Sequence, residues 1–182
     1  MLTVCFWGWA VIEIINHLGG RWERLGQAKQ IQDRGSYWLL IGAVYLCFAL
    51  AYAGRWSGWG VLTGPWQYLG LGLMALGVAF REWAIITLGR HFSVVVALET
   101  NHQLITRGPY RWLRHPAYSG GFITMLGFVL ALGSGGSLGP ILIVLLAAFT
   151  YRIHCEERLL SAAFGQTYRD YMRRTWRLFP GW

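Results

Sequence analysis

Long apolar runs separated by short, arginine-rich polar connections dominate this chain. A helix that crosses a bilayer needs about 20 mostly apolar residues, within a range of about 17–25. Five stretches come near that length: residues 2–18, 37–53, 60–80, 118–132 and 138–151. The third carries Pro65 in its first turns, where a missing N–H does little harm. The last two are short and are separated only by Gly133-Ser134-Gly135-Gly136-Ser137, an uncharged run suited to a tight turn. They therefore read as a helical hairpin. Gly120, Gly121 and Gly127 either let those two helices approach closely or are incidental, because glycine is common in such helices. Gly70, Gly72 and Gly77 lie in apolar surroundings without the strand–turn–helix setting of a nucleotide loop, and they read as helix packing.

The positive charges give an orientation. With the N-terminus outside, fifteen of the sixteen Lys and Arg residues fall on the inner side, and only Arg55 lies outside. Such a bias marks the cytoplasmic face. An odd number of spans then places the C-terminus in the cytoplasm. The expected fold is thus all-α and polytopic, with five transmembrane helices. It forms one domain over residues 1–182, in which 1–80 hold three spans and 81–182 hold the hairpin and a C-terminal cap. The first run has no basic leader region and no small-residue cleavage site, so it reads as a retained helix.

Composition sharpens this picture. Charged residues make up 13% of the 182 and hydrophobic residues 55%, against about a quarter charged in soluble domains. The net charge of +8 sits in the connections between apolar runs, which suits anionic lipid. It forms no basic stripe interleaved with aromatic residues, so nucleic acid is not an expected partner. Eleven Trp and nine Tyr suit the two membrane interfaces. Cys5, Cys47 and Cys155 are far apart, lack metal-ligand spacing, and read as small buried apolar residues; no metal is expected.

Two inner segments have room for chemistry. In the first, Gly108-Pro109 marks a turn, and Pro116 disfavours helix at His115. His115 therefore lies on an extended step just before the fourth span. At membrane depth such backbone is tolerated where it is buried in protein or lines a cavity. In the second, a fifth helix that continued inward would set Arg152 and Glu156 one turn apart on one face. A surface ion pair and a functional pair are both compatible with that spacing. Glu13, Asn16 and His17 at the end of the first run line a substrate portal, cap the helix or bond a neighbour. His91 and His154 read as solvated or capping.

Arg114-His115-Pro116-x-Tyr118, followed across the hairpin by Arg152-x-x-x-Glu156-Glu157, resembles the isoprenylcysteine carboxyl methyltransferase family and the related membrane phospholipid methyltransferases. The closing stretch from Phe164-Gly165 through Tyr168 and Tyr171 to Thr175-x-Arg177-Leu178-Phe179-Pro180 is similar to the same group. The resemblance spans residues 88–180. It implies S-adenosyl-L-methionine (SAM) as cofactor, with S-adenosylhomocysteine as product, in a cytoplasmic pocket under the C-terminal segment. Matching cofactor positions are His102, Gln103, Leu104, Ile105, Tyr110, His115, Pro116, Ala117, Tyr118 and Glu156. Arg152 matches the arginine assigned to the substrate carboxylate, so Arg152 and Glu156 are the expected catalytic pair. A family glutamine falls on Val95 here, a departure at the rim of the site.

The resemblance implies methyl transfer to a carboxylate on a lipophilic acceptor, either an isoprenoid acid or a prenylcysteine-like, lipidated substrate. Such a displacement needs positioning and electrostatics rather than a strong base. An amine or thiol acceptor, with Glu157 as the nearest base, and a non-enzymatic membrane scaffold are the alternatives. The expected location is the inner membrane of a prokaryotic cell, with the site facing the cytoplasm.

Overall fold

The computed structural model describes residues 28–31, 35–89, 97–99 and 104–181. The first expected span, with Cys5, Glu13, Asn16 and His17, lies outside these residues, as do His91, Val95, His102 and Gln103.

Glycine and proline set the helix ends. Helix α1 (Ser36–Ser57) starts after Gly35 and stops at Gly58, which takes the left-handed conformation of a C-cap at φ 74°. Helix α2 (Pro65–Leu88) begins with proline in its first turn. It runs past the expected end at Phe80 and so keeps Arg81 and Glu82 inside the helix. Helix α3 (Pro116–Leu132) also begins on proline and ends at Gly133. A 3-10 turn over Gly135–Ser137 leads into α4 (Leu138–Phe164). Gly165 then separates α4 from the short, strongly amphipathic α5 (Gln166–Arg174). Two short antiparallel strands, β1 (Ala28–Ile31) and β2 (Ala97–Glu99), are the one addition to the all-α expectation among the described residues.

Among the described residues, three helices are long and apolar enough to cross a membrane: Ser36–Ser57, Pro65–Leu88 and the unit Gly135–Phe164. Helix α3 is apolar but has only 17 residues. Exposed tryptophans collect at opposite ends of these helices. Trp56, Trp59 and Trp66 lie around the α1–α2 connection, and Trp38, Trp83, Trp112 and Trp176 lie at the other end, as interface anchors should. Between the two groups, Cys47 on α1, Met74 on α2, Phe122, Met125 and Phe128 on α3, and Ile141, Leu145 and Phe149 on α4 form the core.

One packing expectation is corrected. Gly120 and Gly127 do not serve the α3–α4 hairpin; they seat α3 against α2. A Cβ on Gly127 would stand 2.7 Å from the carbonyl oxygen of Gly70, and one on Gly120 would stand 2.7 Å from the backbone and Cβ of Arg81. The turn over Gly133–Ser137 is as tight as expected, but beyond it the close backbone neighbour of α3 is α2, while α4 packs chiefly on α1. The physical reason is size. Phe122, Phe149, Val129 and Ile141 fill the space between α3 and α4, and such side chains hold backbones apart. Gly121 meets only Arg81 Nη1 and Phe149 at 3.8 Å, and Gly72 meets nothing.

Candidate active site

The site is built on the His115–Pro116 step. His115 has φ −126° and ψ 56°, the non-helical geometry that Pro116 imposes on its predecessor. The His115 carbonyl accepts from the Tyr118 and Ser119 amides and starts α3. Residues 112–115, left between the 3-10 turn Gly108–Arg111 and α3, pair in parallel with the C-terminal segment. Arg114 N donates to Trp176 O at 2.8 Å, His115 N to Arg177 O at 3.2 Å, and Trp176 N to Trp112 O at 3.0 Å. Ser119 Oγ adds a bond to Leu178 O at 2.6 Å, and Leu178 is buried in the core.

Glu157 fixes this pairing. Its carboxylate accepts from Arg114 Nε at 2.9 Å and from Arg177 Nη2 at 2.8 Å, with His115 Nε2 at 3.4 Å. Arg114 also donates from Nη1 to the carbonyls of Met172 and Thr175. Thus α4, the pre-α3 step and the C-terminal segment meet on one buried carboxylate. Tyr171 on α5 adds a bond from its hydroxyl to Tyr110 O at 2.7 Å.

A second line of contacts runs deeper. Arg152 is 2% exposed; its Nε donates to Tyr118 Oη at 3.1 Å and its Nη1 to Ser36 Oγ at 2.7 Å. Tyr118 in turn donates its hydroxyl hydrogen to Glu156 Oε2 at 2.9 Å. Arg152 and Glu156, one turn apart on α4 as expected, are thus bridged by a phenol from α3. His115, also buried, lies between the carboxylates, with Nδ1 3.8 Å from Glu156 Oε2. The side chain of Glu156 is about a third exposed at 32%, against 8% for Glu157. The exposed carboxylate is therefore the one open to a ligand.

Beside this line, Tyr110 and Ala117 pack with Ala84 of α2, and Leu88 and Ile105 lie against them. Burial, and then the Glu156 charge, push the Tyr110 phenol well above its ordinary pKa of 10.0, so the ring is a neutral wall and donor. Pro116 is buried at the first turn of α3. Of the expected positions, Ile105, Tyr110, His115, Pro116, Ala117, Tyr118, Arg152 and Glu156 therefore gather in one region. Leu104 is half-buried beside Ile105, and His102 and Gln103 lie outside the described residues. His154 is exposed, as a solvated histidine should be, and Cys47 and Cys155 are buried free thiols.

Sequence reasoning assigned no role to Ser36, Arg114 or Ser119, and it treated Glu157 only as a possible base. Arg114 and Glu157 were signalled by the charged flanks of the two quoted motifs. Ser36 carried no local signal, since a serine opening an apolar run is ordinary.

A sequence model described as the isoprenylcysteine carboxyl methyltransferase family matches residues 70–162, just over half of the chain. The chain belongs to this family. A probable protein-S-isoprenylcysteine O-methyltransferase of Oryza sativa subsp. indica is 38% identical over 110 residues, covering 59% of this chain and 58% of the rice protein. The Schizosaccharomyces pombe protein-S-isoprenylcysteine O-methyltransferase is 38% identical over 111 residues, 60% of this chain and 47% of its own. The chain thus spans about half the length of the curated relatives it matches. Among solved structures, the eukaryotic intramembrane Ras methyltransferase of the family, solved without a monobody, superposes with a TM-score of 0.65 at 27% identity, covering 76% of this chain and 51% of that one. Helices of spanning length and an intramembrane family relative together make this an integral membrane protein. The family match ends inside α4, so α1 and the C-terminal segment that complete the site lie beyond it.

Proposed function

We propose that this chain is a SAM-dependent methyltransferase of the membrane that esterifies a carboxylate on a lipophilic acceptor, a prenylcysteine or a compound like it. The observation that carries the reading is the line Arg152–Tyr118–Glu156, which sets a buried guanidinium next to a partly open carboxylate. A guanidinium suits an acceptor carboxylate, which it can hold by two parallel hydrogen bonds. The open Glu156 carboxylate suits the cofactor's ammonium. Tyr110, with Ile105 and Ala117, offers an apolar and aromatic wall of the kind an adenosine packs on. The residues present therefore fit the cofactor.

When bound, SAM supplies an electrophilic methyl group: its S–CH3 bond breaks as an O–CH3 bond forms, leaving a neutral thioether and an ester. No proton moves, so no base is required. The chain's own residues hold the two reactants in line and exclude water. Glu157, engaged by two guanidinium groups and a histidine ring, is a poor base. That weighs against an amine acceptor.

The charge distribution supports five spans, with the N-terminus outside and the site facing the cytoplasm. Helix α4 fits this orientation. Its 27 residues reach about 40 Å at about 1.5 Å each, against about 30 Å of hydrocarbon, so about 10 Å of its Phe164 end projects from the inner face. The relatives named above are eukaryotic and lend nothing to a prokaryotic inner membrane.

The test is calorimetric binding of S-adenosylhomocysteine to the full chain in detergent, with Glu156→Ala and His115→Ala beside it, followed by turnover on a prenylated N-acetylcysteine. Saturable binding lost in both folded variants, with ester formation lost in Arg152→Ala at unchanged binding, supports the reading. Binding with turnover indifferent to Arg152 turns it towards an amine or thiol acceptor. A folded protein without affinity leaves the scaffold reading.

A further inference from the structure

We infer that Ser36 is a positioning residue that aims Arg152 at the acceptor carboxylate, an inference that rests on the carboxyl-methylation reading above. Ser36 opens α1, is fully buried, and lies 116 residues from Arg152 in the chain. No motif points to it, and it falls outside the matched segment 70–162.

The argument is geometric. A guanidinium is planar, with five N–H donors in a fixed fork. It grips a carboxylate by two parallel bonds only when that plane is correctly turned. A single hydrogen bond leaves the plane free to swing about its last torsion; two bonds on different nitrogens fix it. In this protein Tyr118 Oη takes Nε and Ser36 Oγ takes Nη1, at 3.1 and 2.7 Å. The two anchors sit on different helices, α3 and α1, so the guanidinium is held from both sides of α4. A hydroxyl does this without adding a negative charge that would compete with an incoming carboxylate. Helix α1 therefore contributes to acceptor binding, although no motif residue lies on it. Tyr118 serves both sides of the reaction, since it also bonds Glu156. Ser36 lies at the Arg152 end of that line, and this asymmetry makes the idea testable.

The experiment uses the full chain in detergent micelles, with S-adenosylhomocysteine as the cofactor-site probe and a prenylated N-acetylcysteine as acceptor. Ser36→Ala should lower kcat/KM for the acceptor about tenfold, chiefly through KM, because the grip on the carboxylate loosens. S-adenosylhomocysteine affinity should stay within about twofold, and Ser36→Thr should recover most of the loss. In an Arg152→Lys background Ser36→Ala should add nothing further, since its target is gone. That cycle decides the matter even if the threonine methyl is too large for the buried site. Unchanged kcat/KM in Ser36→Ala, additive losses in the double variant, or turnover falling in step with cofactor affinity would each overturn the inference. Wild-type protein that binds no S-adenosylhomocysteine, or methylates no carboxylate, overturns the underlying reading and this inference with it.

Discussion

Replacing Glu157 by Gln should release the C-terminal segment from the His115 step without unfolding the helices. The new side chain keeps the volume and one carbonyl oxygen but loses the charge that Arg114 and Arg177 share. A hydrogen bond to a charged group is worth about 1.5–3 kcal/mol, and the Arg114 pair, with side chains 10% and 8% exposed, merits that range. Arg177 is 34% exposed; water screens its pair, which merits no more than about 1 kcal/mol. The introduced amide can still accept one bond from Arg114, so the sum of about 1.5–4 kcal/mol is an upper range. At about 1.4 kcal/mol per tenfold, local opening should become roughly 10- to 700-fold more frequent if the full loss is felt. Hydrogen exchange at the amides of Arg114, His115 and Trp176, which close the parallel pairing, reads this directly. Amides in the middle of α2 serve as the internal standard. Exchange at the three amides within about threefold of wild type would refute the latch, and equal acceleration throughout the protein would mean that Glu157 supports the whole fold.

Gly127→Ala should cost about 1–3 kcal/mol by overpacking, because its Cβ meets the backbone of Gly70 and Met74. Gly72→Ala, which meets nothing, should be neutral or stabilising in the same thermal-aggregation assay. Tyr118→Phe removes the hydroxyl shared by Arg152 and Glu156 and should weaken S-adenosylhomocysteine binding and raise the acceptor KM together, each about three- to tenfold. Burial raises the phenols of Tyr110, Tyr168 and Tyr171 above the ordinary 10.0. The unfolded chain then loses those protons first, so their contribution is full below about pH 10 and should fade as pH rises above it. Phenolate absorbance in a pH titration should accordingly appear late and together with unfolding. Three phenols ionising near pH 10 in folded protein would contradict this.

Local chemistry made much of the site legible. Proline after His115 predicted an extended step, and the parallel pairing with residues 176–177 is what that step became. The spacing of Arg152 and Glu156 placed them on one face because α4 continues as a helix, although its apolar stretch ends earlier. Contacts between distant segments were less legible. A row of glycines announces a close neighbour but does not name it, and Gly120 and Gly127 turned out to face α2 instead of α4. Arg81 looked like the start of a loop, yet its long side chain reaches the Ala117 carbonyl at 3.1 Å while its backbone stays helical. Glu157 resembled a free base because nothing in the sequence reveals that Arg177, twenty residues later, folds back onto it. Ser36 could be found only from the structure.

The shortness of α3 has its own consequence. Its 17 residues cover about 26 Å at about 1.5 Å per residue, about 4 Å less than the hydrocarbon thickness of about 30 Å. With its outer end tied to the α1–α2 loop through Leu62 and Gly133, the deficit falls at the other end, at His115 and Pro116. In the orientation proposed above, the cytoplasmic surface is therefore dimpled at the site: the water-filled side dips below the headgroups there, while neighbouring helices rise past them. Under the proposed function, a greasy tail would stay among the acyl chains while its polar end met a water-soluble donor at the floor of the dimple. Lipid thickness then becomes a variable of the reaction, because a thicker bilayer deepens the dimple and a thinner one flattens it.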